Sequence, residues 1–191
     1  MTTWQLTESG EGVLRRVGIL GTMPYADTDQ DGIQAAVVSC ATLVEAHVDK
    51  VVKSLFAADT AMSFRLARVL HSEVEDSIFR TWEARRKWLS IAFDINVSGD
   101  KASQDFDAVI DLRNSIVHGD SQLTDLQLSK IKDLFRLKEQ YARVLSAQVN
   151  GRLIILSPEV AVRAATVSRD FVLHFDRELL TEYPTLTVRA S

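Results

Sequence analysis

Residues 33–55, IQAAVVSCATLVEAHVDKVVKSL, decide the fold class of this 191-residue chain. Their apolar side chains recur at steps of three and four, which is the spacing of one face of an α-helix. These positions are Ile33, Val37, Cys40, Val44, Val48, Val51 and Leu55. No turn residue interrupts the run after Gly32, so we predict one long helix from about Thr28 to Phe56.

The same periodicity continues towards the middle of the chain. A second helix is predicted to begin near Thr60, and Ser72 with Glu75 has the pattern of a capping box that starts a fresh helix. A further helix is predicted from about Ala102 to His118, with Gly119 as its C-terminal cap.

The C-terminal third also reads as mostly helical. Thr124 with Gln127 is placed to cap a helix that runs to about Gln148, and Asn150-Gly151 is a strong turn signal. Ser157-Pro158 opens a last helix that runs to about Glu182. Together these segments predict an all-α helical bundle of five or six helices.

The ends of the chain are less regular. Residues 1–28 are predicted to be an N-terminal arm, which forms either one or two short strands or an ordered arm without them, since several glycines interrupt its apolar pattern. A strand over 152–156 can pair with a strand over 3–6, which would give the bundle a small β appendage. The predicted division is therefore arm 1–28, helical domain 29–182 and C-terminal tail 183–191.

The bulk properties favour a soluble cytoplasmic protein. The single Cys40 cannot form an internal disulfide, and neither a signal peptide nor a membrane-spanning run is evident. A net charge of −4 argues against nucleic-acid binding through overall charge. Two basic clusters can still supply a local cleft, although such runs are usually solvated helix faces. They are Arg80, Arg85, Arg86 and Lys87, and Lys130, Lys132, Arg136 and Lys138.

The segment 113–118, RNSIVH, is the candidate for chemistry. At about 100° per residue, Arg113 lies at the centre of the apolar stripe of its helix, where an arginine needs an acidic partner or a ligand. One interpretation is a buried ion pair with Glu45, Glu73 or Glu75. The other is that the stripe forms the floor of a cleft, where the guanidinium binds a phosphate. The two are compatible.

Asn114 and His118 lie on an adjacent, more polar face of the same helix, together with Asp107 and Asp111. His118 is separated from Arg113 by about 140° around the helix and about 7.5 Å along it, so the two do not converge within one helix. A histidine at a helix end is more often a partner of the helix dipole than a catalyst.

The Arg113-Asn114 pair, the apolar Ile116-Val117 pair and Gly119 after His118 resemble the signature of the HEPN superfamily of small helical domains. The strand predicted over 152–156, followed by the Ser157-Pro158 helix start, resembles the RiboL-PSP-type subgroup of that superfamily. The resemblance implies a four-helix core with extra helices and a metal-independent endoribonuclease without cofactors, acting as a toxin or antiphage effector. It also implies a homodimer, in which two motif helices line one composite cleft.

The resemblance further implies a role for each motif residue. His118 would transfer the proton in attack of the ribose 2′-OH, which leaves 2′,3′-cyclic phosphate ends. Arg113 would stabilise charge on the phosphoryl oxygens, and Asn114 would orient His118 or the phosphate. Toxins of this superfamily that pair with a minimal nucleotidyltransferase carry a Tyr two residues after the His. Here that residue is Asp120, so neutralisation at that Tyr is not expected, whereas an antitoxin or regulatory partner of another kind remains compatible.

Two other functions stay open at this level. A non-catalytic HEPN dimerisation module that binds a nucleotide or RNA is the first alternative, and an unrelated helical scaffold is the second. A metal site and a serine nucleophile have little support. His47, His71 and His174 share no metal-ligand spacing, and no serine has the glycine pattern of a nucleophile elbow. His47 and His174 fall at the edges of apolar stripes and are predicted to be packed helix residues.

Overall fold

A computed structural model of the chain describes residues 5–97, 99–125, 127–128 and 131–189. These residues form seven α-helices and one two-stranded sheet. The helices are α1 (Glu8–Thr22), α2 (Gln30–Ala58), α3 (Arg65–Ile78), α4 (Trp82–Phe93), α5 (Lys101–Gly119), α6 (Ile131–Gln140) and α7 (Pro158–Glu182). The strands β1 (Gln148–Asn150) and β2 (Leu153–Ile155) pair antiparallel. The predicted all-α class with a small β appendage is confirmed.

The predicted long helix is α2, and it forms the centre of the bundle. Its seven stripe residues are each at most 2% exposed, and the helix packs against α1, α4, α5 and α7. Asp29 begins it by accepting a hydrogen bond from the Gly32 backbone at 3.0 Å. Burial of this apolar face drives formation of the bundle.

The described N-terminal segment contains a helix, whereas short strands or an ordered arm were predicted. Residues Glu8–Thr22 form α1, which packs mainly on α7. The glycines that read as interruptions allow this packing, because a Cβ at Gly21 would lie 3.0 Å from the Ala165 methyl group and one at Gly10 would overlap the Asp176 carboxylate. Tertiary contact overrides weak helix propensity here. The predicted strand over 3–6 lies partly outside the described residues, and Gln5 and Leu6 are not in a strand. The division at residue 28 stays a prediction.

The helix start predicted at Ser72 is wrong. Ser72 lies inside α3, where its hydroxyl donates to the Val69 carbonyl at 2.8 Å. The break comes instead at 79–81, and Thr81 caps α4 by accepting from the Ala84 backbone at 3.1 Å. This position is important for the site, because it places the start of α4 beside α5.

The motif helix is confirmed as α5, but its end differs from the prediction. Gly119 is the last helical residue, and the left-handed cap is Asp120, with φ of 49°. An Asp tolerates this conformation better than most residues that have a Cβ. Gly119 is favoured for another reason, since a Cβ there would lie 3.2 Å from the Thr124 methyl group.

The helix predicted from Thr124 to Gln148 is shorter at both ends. Thr124 and Gln127 do make reciprocal capping bonds, but α6 begins at Ile131 and continues through a π-turn only to Leu145. Gln148 then opens β1, and β2 pairs with β1 across the predicted Asn150-Gly151 turn rather than with the described part of the N-terminal segment. The last helix, Pro158–Glu182, is confirmed at both ends. None of the helices in the described part of the chain is long and apolar enough to span a membrane.

Candidate functional site

Arg113, Asn114 and His118 line one cleft of about 520 Å³. Its walls come from α2, the α3–α4 junction, α4, α5 and the segment that follows α5. The remaining lining residues are Glu45, Arg80, Thr81, Trp82, Arg85, Ile110, Thr124 and Gln127. The fold therefore brings all three candidate residues of the motif to a single cavity.

Arg113 has the acidic partner that its place in the apolar stripe requires. Its guanidinium donates to the Glu45 carboxylate at 2.6 Å and to the Asn114 side-chain oxygen at 2.8 Å. The Arg113 side chain is 25% exposed and the Glu45 side chain 11% exposed. The ion-pair interpretation is confirmed for Glu45, and the guanidinium still reaches the cleft, so the pair also orients it.

A second arginine extends this network. Arg85 binds the Asp49 carboxylate through two hydrogen bonds of 2.5 and 3.1 Å, and its guanidinium lies 3.8 Å from Glu45. Glu45 and Asp49 are one turn apart on α2, so α2 presents two carboxylates to two arginines. Paired in this way, Arg85 is only 8% exposed, and its basic cluster is not a uniformly solvated face.

Asn114 holds Arg113 rather than His118 in this structure. Within the described residues, His118 has no hydrogen-bond or ion-pair partner, and it lies exposed on the last turn of α5. Val117 beside it is 52% exposed although it is apolar, because α5 leaves the core at this end. An unpaired, exposed imidazole is free to meet a ligand or a second protein chain.

A second, larger groove adjoins the cleft. It has a volume of about 820 Å³ and shares Thr81, Trp82, Ile110 and Asn114 with the cleft. Its floor carries Asp107 and Asp111 of α5. Burial raises the pKa of the Asp111 carboxyl to about 6, the Asp107 carboxylate adds to the rise, and Arg136 opposes it. The Asp111 carboxyl itself receives no hydrogen bond from the described residues.

The polar face predicted for the motif helix joins the two cavities. Asp107, Asp111, Asn114 and His118 are spaced by four, three and four residues, so they form one line along α5 of about 16 Å. The first three line the groove, and the last two line the cleft. A continuous polar track thus runs along the exposed side of an otherwise buried helix.

Gln127 fixes the segment that closes the cleft beyond α5. Its amide donates to the Asp111 carbonyl at 2.8 Å, and its oxygen accepts from the Ser115 hydroxyl at 3.0 Å and from the Thr124 backbone at 3.0 Å. The Thr124–Gln127 pattern was the sequence signal for this wall, although it indicated a helix start. The side chain anchors a turn onto α5 instead.

The two cavities differ in charge. Three arginines and one glutamate line the cleft, apart from His118. Asp49, outside the lining, pairs with Arg85, so the arginines exceed the carboxylates by one and the cleft favours an anion. The groove has three arginines and four carboxylates. One of these arginines, Arg86, forms an ion pair with Asp107 at 2.7 Å.

The other members of the two basic clusters are mostly exposed, as expected for solvated helix faces. The exposed residues are Lys87, Lys132, Arg136 and Lys138, and Lys130 lies outside the described residues. Trp82 is buried and Trp88 partly buried, yet Trp82 also forms part of both cavities.

A buried polar cluster elsewhere gave no signal in the sequence. The His47 ring lies 2.9 Å from the Asp176 carboxylate and 3.0 Å from the Ser9 hydroxyl, and Asp176 also accepts from the backbone and hydroxyl of Thr7 at 2.9 Å. The partners are 38 and 129 residues from His47, so no local motif can reveal them. Since His47 is 1% exposed and Asp176 0% exposed, this cluster ties α1 to α2 and α7. His47 is a packed helix residue, as predicted.

His174 is also a partly buried helix residue, with its ring 3.3 Å from Asp100. Within the described part of the chain, no group of three or more His, Cys, Asp or Glu side chains is placed to hold a metal ion. Comparison with known proteins gives no matching family model, no matching curated protein and no matching solved structure.

Proposed function

We propose that this chain is a metal-independent endoribonuclease of the HEPN type, with Arg113, Asn114 and His118 as its active-site residues. The proposal rests on the cleft that these three side chains share, where arginine side chains outnumber carboxylates. An RNA phosphate there would meet the guanidinium that Glu45 and Asn114 already orient.

The reaction needs one proton removed and one supplied. A base takes the proton of the ribose 2′-OH, the 2′-oxygen bonds to the adjacent phosphorus, and the 5′-oxygen leaves with a proton from an acid. The products are a 2′,3′-cyclic phosphate and a 5′-OH. The reference pKa of histidine, about 6.5, suits His118 to either proton transfer, and Arg113 compensates the charge on the phosphoryl oxygens.

One His118 per chain supplies only one of the two proton transfers at a time. A homodimer with two motif helices facing each other would supply two imidazoles and two guanidinia to one composite cleft. The exposed end of α5 supports this arrangement, since His118 and Val117 both lie there without cover.

The groove continues the same polar track and would hold the nucleotides next to the scissile phosphate. Asp107, Asp111 and Asn114 continue the line from His118 along α5, and Trp82 offers an indole edge to both cavities. RNA along this line would cross Arg113 at its scissile phosphate. The biological role that fits such an enzyme is that of a toxin or antiphage effector in the cytoplasm, held in check by an antitoxin or other regulatory protein.

A second function is favoured by one specific observation. Arg113 is already bonded to Glu45 and Asn114, and His118 has no partner in the described part of the chain that sets its tautomer. A non-catalytic HEPN module would use the same cleft to bind a nucleotide or RNA without cutting it.

The two functions are separated by a matched pair of substrates. Purified protein is incubated in EDTA with an RNA pool and with DNA of the same sequences. An endoribonuclease cuts the RNA alone and His118→Ala cuts neither, because DNA lacks the 2′-OH nucleophile. A binding module retains the RNA and leaves it intact, and its affinity falls when Arg80 or Arg113 is changed to Gln.

A further inference from the structure

Asp111 has a carboxyl group in the groove whose acceptors are unused. Its side chain lines the groove, the residue is partly buried, and the carboxyl receives no hydrogen bond from the described residues. The other partly buried carboxylate of the groove, Asp107, already accepts from Arg86 at 2.7 Å and from the Trp82 indole at 2.9 Å. Because burying a carboxylate without donors is costly, Asp111 is placed to accept hydrogen bonds from a ligand.

Asn114 supplies a donor beside this carboxyl. It follows Asp111 by three residues, about one turn of α5, and it lines the groove as well. Its side-chain oxygen accepts from Arg113 at 2.8 Å, which leaves its amide NH2 group without a partner among the described residues. The two side chains therefore offer an N–H donor and a pair of carboxylate acceptors along one face of the helix.

Guanine has the complementary arrangement of hydrogen-bonding groups. Its Watson–Crick edge presents the O6 acceptor, the N1–H donor and the N2 amino donor in a row. Adenine presents a donor beside an acceptor on this edge, and cytosine and uracil each present one donor position. Proteins read single-stranded RNA through such edges, and an ionised carboxylate can accept two parallel N–H bonds. Of the four bases, only guanine offers two adjacent donors to one carboxylate.

The position of Asp111 suits a nucleotide whose phosphate lies in the cleft. Asp111 is seven residues from His118, hence about 10.5 Å from it along the axis of α5. One nucleotide spans a comparable distance from its phosphate to the Watson–Crick edge of its base. The cleft has an excess of arginine, whereas the carboxylates of the groove outnumber its arginines. The phosphate is therefore favoured in the cleft and an uncharged base in the groove.

We infer that the groove is a guanine-binding site, in which the Asp111 carboxylate accepts from N1–H and from the N2 amino group, and the Asn114 amide donates to O6. The enzyme then cuts RNA next to guanine. The inference rests on the proposed function, since a phosphate bound at Arg113 brings the nucleotide to the groove.

Two nucleotides that differ in one donor test the site without any cleavage. Guanosine 3′,5′-bisphosphate and inosine 3′,5′-bisphosphate are titrated calorimetrically at pH 8, where Asp111 is ionised because its pKa is about 6. Inosine lacks the N2 amino group and leaves one carboxylate oxygen unpaired, so wild-type protein should bind it about tenfold or more weakly. Equal affinities, or no binding of either nucleotide, would overturn the inference.

Replacing Asp111 by Asn exchanges one acceptor for a donor at nearly the same volume. The preference for guanosine over inosine should fall to within about threefold. Adenosine 3′,5′-bisphosphate, which has a donor beside an acceptor, should bind more tightly to this variant than to the wild type. The matched control is Glu139→Gln, which removes the same charge from an exposed carboxyl of the groove and should keep the wild-type preference. A guanosine preference retained in Asp111→Asn would show that other residues read the base.

Sequencing of RNA cleavage ends separates this inference from the ribonuclease proposal. With wild-type protein, guanine should be enriched at the nucleotide directly before or after the cut, and Asp111→Asn should lose this enrichment. If the wild type prefers the guanosine nucleotide but leaves RNA intact, the ribonuclease proposal fails and the guanine site stands. Cleavage without enrichment of guanine would overturn the guanine site and leave the ribonuclease proposal in place.

Discussion

Arg113 on α5 and Glu45 on α2 form a hydrogen-bonded ion pair of 2.6 Å at the edge of the cleft. The pair joins the sequence motif to the helix that organises the core. It explains how an arginine can occupy the apolar stripe of α5, and it leaves part of the guanidinium accessible to a ligand.

Replacing Glu45 by Gln should destabilise the protein. The amide keeps an acceptor but loses the charge that faces Arg113 and, more distantly, Arg85. We expect a loss of about 1–3 kcal/mol in the free energy of unfolding, measured by urea titration. The control is Glu178→Gln, whose pair with Arg177 is about half exposed and should change stability by less than about 0.5 kcal/mol. Equal effects would mean that the Glu45 pair contributes no more than a surface contact.

Changing Arg113 to Lys should affect catalysis more than folding. Lysine keeps the positive charge beside Glu45, but it lacks the planar fork that reaches Glu45, Asn114 and a phosphate together. We expect the single-turnover rate of RNA cleavage to fall by about a hundredfold, with the thermal unfolding midpoint nearly unchanged. A cleavage rate close to that of the wild type would remove Arg113 from the active site.

Asp111 should make stability depend on pH. Its pKa is raised to about 6 in the folded protein, so the native state holds a proton that the unfolded chain has lost between about pH 4 and 6. Stability therefore falls as the pH rises through this range, because the buried carboxyl must ionise. Asp111→Asn should be more stable than the wild type by about 1–3 kcal/mol at pH 8 and nearly equal to it at pH 4.

The pH prediction has a direct control. Asp76→Asn, at an exposed carboxyl of α3, should give no such pH-dependent gain in urea titrations at the same two pH values. If Asp111→Asn is less stable than the wild type at both, the carboxylate makes a favourable contact in the folded state and the argument from burial is wrong.

Two glycines of α1 should respond in opposite directions to the same substitution. A Cβ at Gly10 would overlap the Asp176 carboxylate, whereas nothing lies within 4 Å of one at Gly12. Gly10→Ala should therefore cost about 1–3 kcal/mol and loosen the contact of α1 with α7. Gly12→Ala should add about 0.5–1 kcal/mol by removing backbone freedom from a helix. Hydrogen exchange of the α1 amides would measure both effects, and equal protection in the two variants would contradict them.

Much of the fold was predictable because its signals are local. The stripe of α2 and the Ser157-Pro158 start of α7 each lie within one segment, and the structure has both. The prediction failed where a distant residue decides the outcome. Gly10 reads as a helix breaker in isolation, yet it is the residue that α1 needs against Asp176, 166 positions away along the chain. Ser72 with Glu75 is a capping pattern, but α3 runs through it, because the Ser72 hydroxyl donates to the Val69 carbonyl within the helix and the neighbouring His71 ring packs on Phe56.

Part of the candidate site was also predictable from the sequence. The helical wheel placed Arg113 among apolar residues, where it needs an acidic partner. Of the three candidates Glu45, Glu73 and Glu75, the structure has Glu45 in that place. The wheel placed Asp107, Asp111, Asn114 and His118 on one face, and the two cavities follow that face. The wheel carried no information on Arg80, Arg85 or Gln127, because these residues reach the cleft from other elements through tertiary packing.

Analysis of RNA fragment ends tests the central proposal most directly. Wild-type protein and His118→Ala are incubated with total RNA in EDTA, and the fragment ends are determined. His118 is exposed and unpaired in the described part of the chain, so the variant should unfold within about 0.5 kcal/mol of the wild type. We expect new 2′,3′-cyclic phosphate and 5′-OH ends with the wild type only. Intact RNA after treatment with folded wild-type protein, or the same ends with His118→Ala, would contradict it.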